Sequence, residues 1–428
     1  NWGGSYDDSG SSRVPFIDIP TAPLLSLADF SNANLSLRAS EPYKKVGNSH
    51  ASIFVPSNTL YANPGGSARS VTASDGCWLI NDALFDRYYL SGIAPDFTIN
   101  GTYSPVGTLS DTLTDFFGPD YKSAQANPVL APYLPEGTTS AQAVSALEAD
   151  DGYKKFGAYS LIDGVFNVNS TSVAAWAAFL GANRDLSVDY AQGGSNSAAG
   201  TPFPSGVSPA ATGDGAEANW AGFSRLSDQD ISNLAVEIVD QVKLRGPFMS
   251  LSDFVNRRLS SNTSVNAAGA LQAALDQSGP MFSVKASAGG LTPVDPSNML
   301  WGNPIFPGDA DFSSRLTTEG IAGDIRQSDL LRPLAPRLSA RSDTFRIRSY
   351  GEVRSRVGSE VTSQAVCEAV VQRVPEYVDP NTDPTNNEPW DEAFDPLSPS
   401  ASALNALNQQ FGRRFKVVSF RWLASDQI

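Results

Sequence analysis

Histidine is almost missing from this chain: one residue, His50, in 428. Ser-His-Asp and Cys-His mechanisms would both have to run through it. Its setting, VGNSHASIF, matches no nucleophile elbow or metal motif, and a polar loop or packing role is expected. Cysteine is nearly as scarce. Cys77 and Cys367 lie 290 positions apart, and with one histidine they cannot furnish a four-ligand zinc site. They either form one bridge, worth about 5 kcal/mol at most by loop entropy, or stay two unrelated buried thiols. GxSxG, Walker, HExxH and GxGxxG patterns are lacking too. The 45 acidic residues include no pair that stands out by spacing as a glycosidase site. No catalytic residue is therefore assigned, and no enzyme is expected.

Charge is sparse as well, at 18% of residues against about a quarter in most domains. Ser, Gly, Ala, Asn and Pro fill the gap, a composition that suits work outside the cytoplasm. Lysine supplies only 8 of the 30 basic residues and arginine 22. The formal charge is −15 and the pI about 4.5, opposite to the balance a phosphate-backbone binder needs, so nucleic acid is not the expected partner. There is no run of about 18 apolar residues to span a bilayer, and no basic-then-apolar leader. The chain opens on Asn1-Trp2, as a processed protein or an excised fragment would.

What is present is local order of two kinds. A mixed, loop-rich region is expected over 1–190, with a short helix near Leu27, a helical stripe over 78–90 and further helices over 140–149 and after Ser170 or Ser172, stopping at Gly181. Residues 191–216, AQGGSNSAAGTPFPSGVSPAATGDGA, read as a linker or long surface loop. A helical subdomain is expected over 217–290. Its centre is FSRLSDQDISNLAVEIVDQVKLRGPFMSLSDFVNRRL, residues 223–259. Ser227 with Asp230 forms a capping-box pair, and Ile231, Leu234, Ala235, Ile238 and Val242 follow on one face. Lys243 and Arg245 suit the last turn, Gly246-Pro247 breaks the helix, and Ser250 with Asp253 starts a second helix bearing Phe254, Val255 and Leu259. This pair either packs or docks a partner.

The third part, 291–428, changes character. After an irregular Gly/Pro-rich stretch, the segments 343–353, 367–378 and 415–423 read as strands of an antiparallel sheet, with a long insertion over 379–412. Phe345 and Ile347 alternate with Thr344, Arg346 and Arg348. In the last strand Phe415, Val417 and Leu423 oppose Val418, Phe420 and Trp422, so both faces are expected to be covered. The fold class is thus α+β. Arg346, Arg348, Arg354 and Arg356 form a guanidinium ladder, either an interface for carboxylates or acidic glycans or paired within the chain. Asp379, Asn381 and Asp383, with Glu388 beyond, alternate like the first oxygen ligands of a calcium loop. That loop lacks the usual Gly and carries Pro380 and Pro384. Calcium is the only cofactor the sequence suggests. Asn34, Asn100, Asn169 and Asn262 fit the N-x-[ST] pattern, which matters only in a eukaryotic secretory setting.

Seven blocks in order, among them WLINDALFDRYYLSG, GVFNVNSTSVAAW, LAVEIVDQVKLRGPFMSLSDFVNRRL, SDLLRPLAPRLSARSDTFRIRSYGEV and FGRRFKVVSFRWL, resemble the carboxy-terminal part of the verrucomicrobial cassette protein A family (the Verru_Chthon cassette). That family is encoded beside pilin-like proteins. The resemblance implies export to the envelope or beyond and a structural rather than enzymatic role. The NVNSTS segment with the helical pair is also similar to the helical region of the large minor pseudopilin of type II secretion. Unlike pilin-like proteins, this chain opens without a hydrophobic helix, as a trimmed or separately assembled fragment would. The expectation is a non-catalytic subunit of an exported pilin-like filament or secretion-like apparatus, with other protein subunits as partners. The alternative is a surface adhesin whose Trp301, Trp390 and Trp422 stack on glycans.

Overall fold

The computed structural model describes residues 24–32, 45–52, 55–62, 73–93, 96–99, 102–105, 107–124, 127–135, 137–189, 195–204, 223–278, 325–358, 360–377 and 412–424. Helices and an antiparallel sheet coexist, so the α+β class holds. The helices used below are α1 (Gly76–Leu84), α2 (Leu109–Phe116), α3 (Ser140–Glu148), α4 (Val173–Leu180), α5 (Asp228–Arg245), α6 (Leu251–Val255), α7 (Ala270–Gln277) and α8 (Gln327–Leu334). The strands are β1 (Thr201–Pro204), β2 (Phe223–Leu226), β3 (Thr344–Arg354), β4 (Val361–Tyr377) and β5 (Arg413–Leu423). Contacts divide the chain into two compact units, each made of two separated segments: 1–106 with 164–340, and 107–163 with 341–428. Composition along the chain does not display this interleaving.

The first unit is built on α5. Ser227 accepts from the Asp230 amide while the Asp230 carboxylate accepts from the Ser227 amide, closing the expected capping box. Ile231, Leu234, Ala235, Ile238 and Val242 are all buried, against α4 on one side and α7 on the other. Trp176 of α4 and Phe248, Phe254 and Leu271 join the same core. Packing therefore accounts for the apolar side of the helical pair. Burying a side chain of this size is worth roughly 1.5–3 kcal/mol, so the stripe alone anchors the unit.

Several details depart from the expectations. Helix α6 ends at Val255, and Leu259 is exposed rather than part of an apolar face. Two residues further on, Arg257 turns inward to a buried carboxylate, described below. Arg245, in the last turn as expected, is buried. Its guanidinium donates to the carbonyls of Val265 (3.0 Å), Ala268 (2.8 Å) and Ser264 (3.1 Å) and to the Gln241 side chain. Burial and the neighbouring Arg258 push its pKa down to about 10. The stretch 191–216 is not wholly irregular: β1 lies inside it and pairs antiparallel with β2. Between 280 and 340 the described residues include α8.

In the second unit α2 packs on α3, both with complete capping boxes, from Thr108–Asp111 and Thr139–Gln142. The Phe116 and Phe156 rings meet at 5.3 Å, tilted by 44°, and the short turn 156–158 touches β4. Tyr133 donates to Glu376 at 2.8 Å near the end of that strand. Strands β3, β4 and β5 form a meander in that order, antiparallel throughout. Among the described residues no helix is long and apolar enough to cross a membrane.

Candidate functional site

Register assigns each side chain of the sheet to a face, because directly opposed residues of antiparallel strands share one. Phe345, Ile347 and Val353 of β3 oppose Val371, Ala369 and Ser363 of β4. On the other side Cys367 opposes Trp422, Ala369 opposes Phe420 and Val371 opposes Val417. All of these lie on one face. The Phe345 and Phe415 rings, from the two outer strands, meet above the central strand at 6.1 Å.

The expectation that both faces are covered is wrong for a local reason. Val370 pairs with Ser419 while Val371 pairs with Val417, so Val418 is an extra residue in β5. Such a bulge shifts the alternation by one. It brings Phe415 and Val417 onto the same face as Phe420 and Trp422 instead of opposing them. The result is one apolar face, and it lies in water: Ile347 is 51% exposed, Phe420 55%, Val417 61% and Trp422 68%.

The second face is ionic. Glu368 sits on the central strand between Arg348, whose Nε donates at 2.8 Å, and Arg421, whose Nη2 donates at 2.8 Å. Arg346 stands at 3.9 Å. The arginine stems roof the carboxylate, which is only 4% exposed although each arginine is at least half exposed. Hydrogen bonds from Arg348 and Arg421 hold the Glu368 carboxyl below the usual range. Arg354 pairs with Glu352, which also accepts from the Tyr350 hydroxyl. The guanidinium ladder is thus engaged within the chain at Arg346, Arg348 and Arg354. Arg356 lies exposed in the turn that follows β3. The three strands carry eight basic and three acidic side chains, so the sheet is a positive element of a chain with charge −15.

The other candidates fall elsewhere. Asp379, Asn381, Asp383 and Glu388 lie outside the described residues, as do Trp301 and Trp390. Cys77 and Cys367 are free thiols, one in each unit, and the bridge left open by the sequence is not formed. Cys77 is N-terminal in α1 beside Asp75; burial and that carboxylate push its thiol up to about 12. His50 Nε2 stands 3.1 Å from Asp276 Oδ2, and Asp276 also accepts from Gln272. Among the described residues the ring meets no hydroxyl or thiol, so the pair fits the packing role.

Sequence reasoning missed two sites. Gln327, wholly buried, donates to the carbonyls of Gly47 and Val255 and accepts from the Gln272 amide. Asn169, the third residue of NVNST, donates to the carbonyls of Phe248 and Ala340 at 3.0 Å each and accepts from the Phe248 amide at 2.6 Å. It clamps the Gly-Pro corner of the helical pair, so its N-x-[ST] match is a by-product of packing. Comparison with family models, with curated proteins and with solved structures returns no match to this chain.

Proposed function

We propose that this protein is a non-catalytic assembly subunit that docks other protein through the apolar face of its three-stranded sheet. One observation carries the reading: four aromatic and several aliphatic side chains share one face, charged only at its end, and stand in water. A contiguous exposed apolar patch of this kind marks an interaction site in a soluble protein. Its edge aromatics match the residue types enriched where interfaces are driest. The resemblance to the cassette protein A family and to the large minor pseudopilin points the same way, toward an exported filament or secretion-like apparatus.

The adhesin reading is less favoured by the geometry. Stacking on sugars calls for a flat aromatic platform, whereas the Phe420 and Trp422 rings stand edge to face at 88°. The test is cross-linking mass spectrometry on natively extracted material, combined with electron microscopy. Lys416, the single lysine of the three strands, reports the sheet's neighbours. Links from Lys416 to other chains within a repeating or multi-protein particle are expected. Recovery as a lone monomer or an isolated dimer overturns the assembly reading.

A further inference from the structure

We infer that the occupant of the apolar face is a second copy of this chain, bound sheet to sheet about a two-fold axis; the inference rests on the docking role proposed above. Three observations favour it. The first is shape. From Ser363 to Ala369 the central strand presents only small groups there, Ser363, Ala365, Cys367 and Ala369, while β5 beside it raises Phe420 and Trp422. One face therefore holds both a trough and a ridge, which is what a self-complementary contact needs.

The second is area. Strands of 11, 17 and 11 residues, at ~3.3 Å per residue and ~4.8 Å between strands, give a footprint of roughly 600 Å². Two such faces stacked bury roughly 1,200 Å² in total, above the ~1,000 Å² that a specific interface requires. The third is charge. Charge on the contact face is confined to one end, where Arg373 is paired with Asp343 and Arg413, two residues before Phe415, donates to the Pro375 carbonyl. With the sheets ~10 Å apart, the two arginine-bearing faces point outward and lie ~20 Å from each other, beyond the ~8 Å screening length. Like charge on the sheets does not oppose the pairing.

Sedimentation velocity of the purified full chain over roughly 1–100 μM, a range that brackets micromolar Kd values, tests this directly. A concentration-dependent monomer–dimer equilibrium is expected. Phe420→Asp with Trp422→Asp should weaken it at least ~100-fold, as loss of central aromatics does, while Lys416→Ser on the ionic face should leave it unchanged. Both aromatics are more than half exposed, so far-UV circular dichroism should be unaltered. Cys367 gives an independent readout: in a Cys77→Ser chain it is the remaining thiol, and its maleimide labelling rate should fall as the dimer forms. A wild-type chain that stays monomeric at the highest concentration, or a dimer that survives the double substitution, overturns self-pairing. If the isolated chain is monomeric while native cross-links run from Lys416 to a different protein, self-pairing fails and the assembly role stands. If the chain dimerises but no larger particle exists in native extracts, the assembly role fails and self-pairing stands.

Discussion

Asp75 performs two functions at once, and removing them separately is the sharpest test of how the first unit holds together. Its Oδ1 accepts from the Trp78 amide at 3.1 Å and caps α1. Its Oδ2 accepts from Arg257 Nε at 3.0 Å and Nη2 at 2.7 Å, with both side chains nearly inaccessible. Arg257 also donates to the carbonyls of Ser57 and Thr59. Losing an N-cap costs about 1 kcal/mol, and orphaning a buried charge costs about 3–5 kcal/mol. Asp75→Ala should therefore cost roughly 4–6 kcal/mol, a large part of the roughly 5–15 kcal/mol that holds a domain together. Asp75→Ser keeps an oxygen for the Trp78 amide and should cost roughly 3–5 kcal/mol. Adding Arg257→Met to Asp75→Ser removes the stranded charge. It should recover at least ~1 kcal/mol even though two carbonyls lose their donor. Urea unfolding gives the differences, and hydrogen exchange of the α1 amides shows whether the loss is local. An Asp75→Ser variant within ~1 kcal/mol of wild type would refute the argument, because Arg257 would then be satisfied by its carbonyls alone.

Two further outcomes follow from close approach and from titration. A Cβ on Gly269 would lie 2.1 Å from the Val255 carbonyl oxygen and 2.7 Å from Ser49 Oγ, the acceptor of the Gly269 amide. Gly269→Ala should cost roughly 2–4 kcal/mol by thermal unfolding, whereas Gly181→Ala, with nothing within 4 Å of the added carbon, should be near neutral. Glu368 is held below its ordinary 4.5 by Arg348 and Arg421. The unfolded chain therefore takes up this proton first as pH falls, and the sheet's stabilisation is present above about pH 4.5 and lost through the lower folded value. Trp422 fluorescence should follow that loss in wild type and show a weaker acid dependence in Glu368→Gln.

Elements carried by neighbours in sequence were legible, and those carried by distant partners were not. Ser227 with Asp230, the α5 stripe and the Gly-Pro stop are set by residues three or four apart, and each appears where the spacing puts it. Nothing nearby in sequence signals the burial of Arg245 and Arg257. Their partners are carbonyls of a later turn and a carboxylate 182 positions earlier. The Gln272–Gln327 exchange spans 55 positions, and no local pattern distinguishes those glutamines from solvated ones.

The candidate surface was missed through one residue. Read with a strict period of two, the apolar groups of β5 fall on opposite faces, and a sheet apolar on both sides belongs in a core. Val418 breaks that period. Once it is taken as a bulge, the same letters give an amphipathic sheet with most of its charges on one face and Phe345, Phe415, Phe420 and Trp422 on the other. A sheet of that kind is only half a core: Glu368 and its arginines stabilise the ionic face in water, while the apolar face remains a surface whose burial would be favourable. The sequence contained both halves of this inference, since the alternation in β3 already separated Phe345 and Ile347 from Arg346 and Arg348. Only the pairing of β5 with β4 reveals that the third strand obeys the same division, and that division leaves the aromatics of the sheet at a surface rather than in a buried layer.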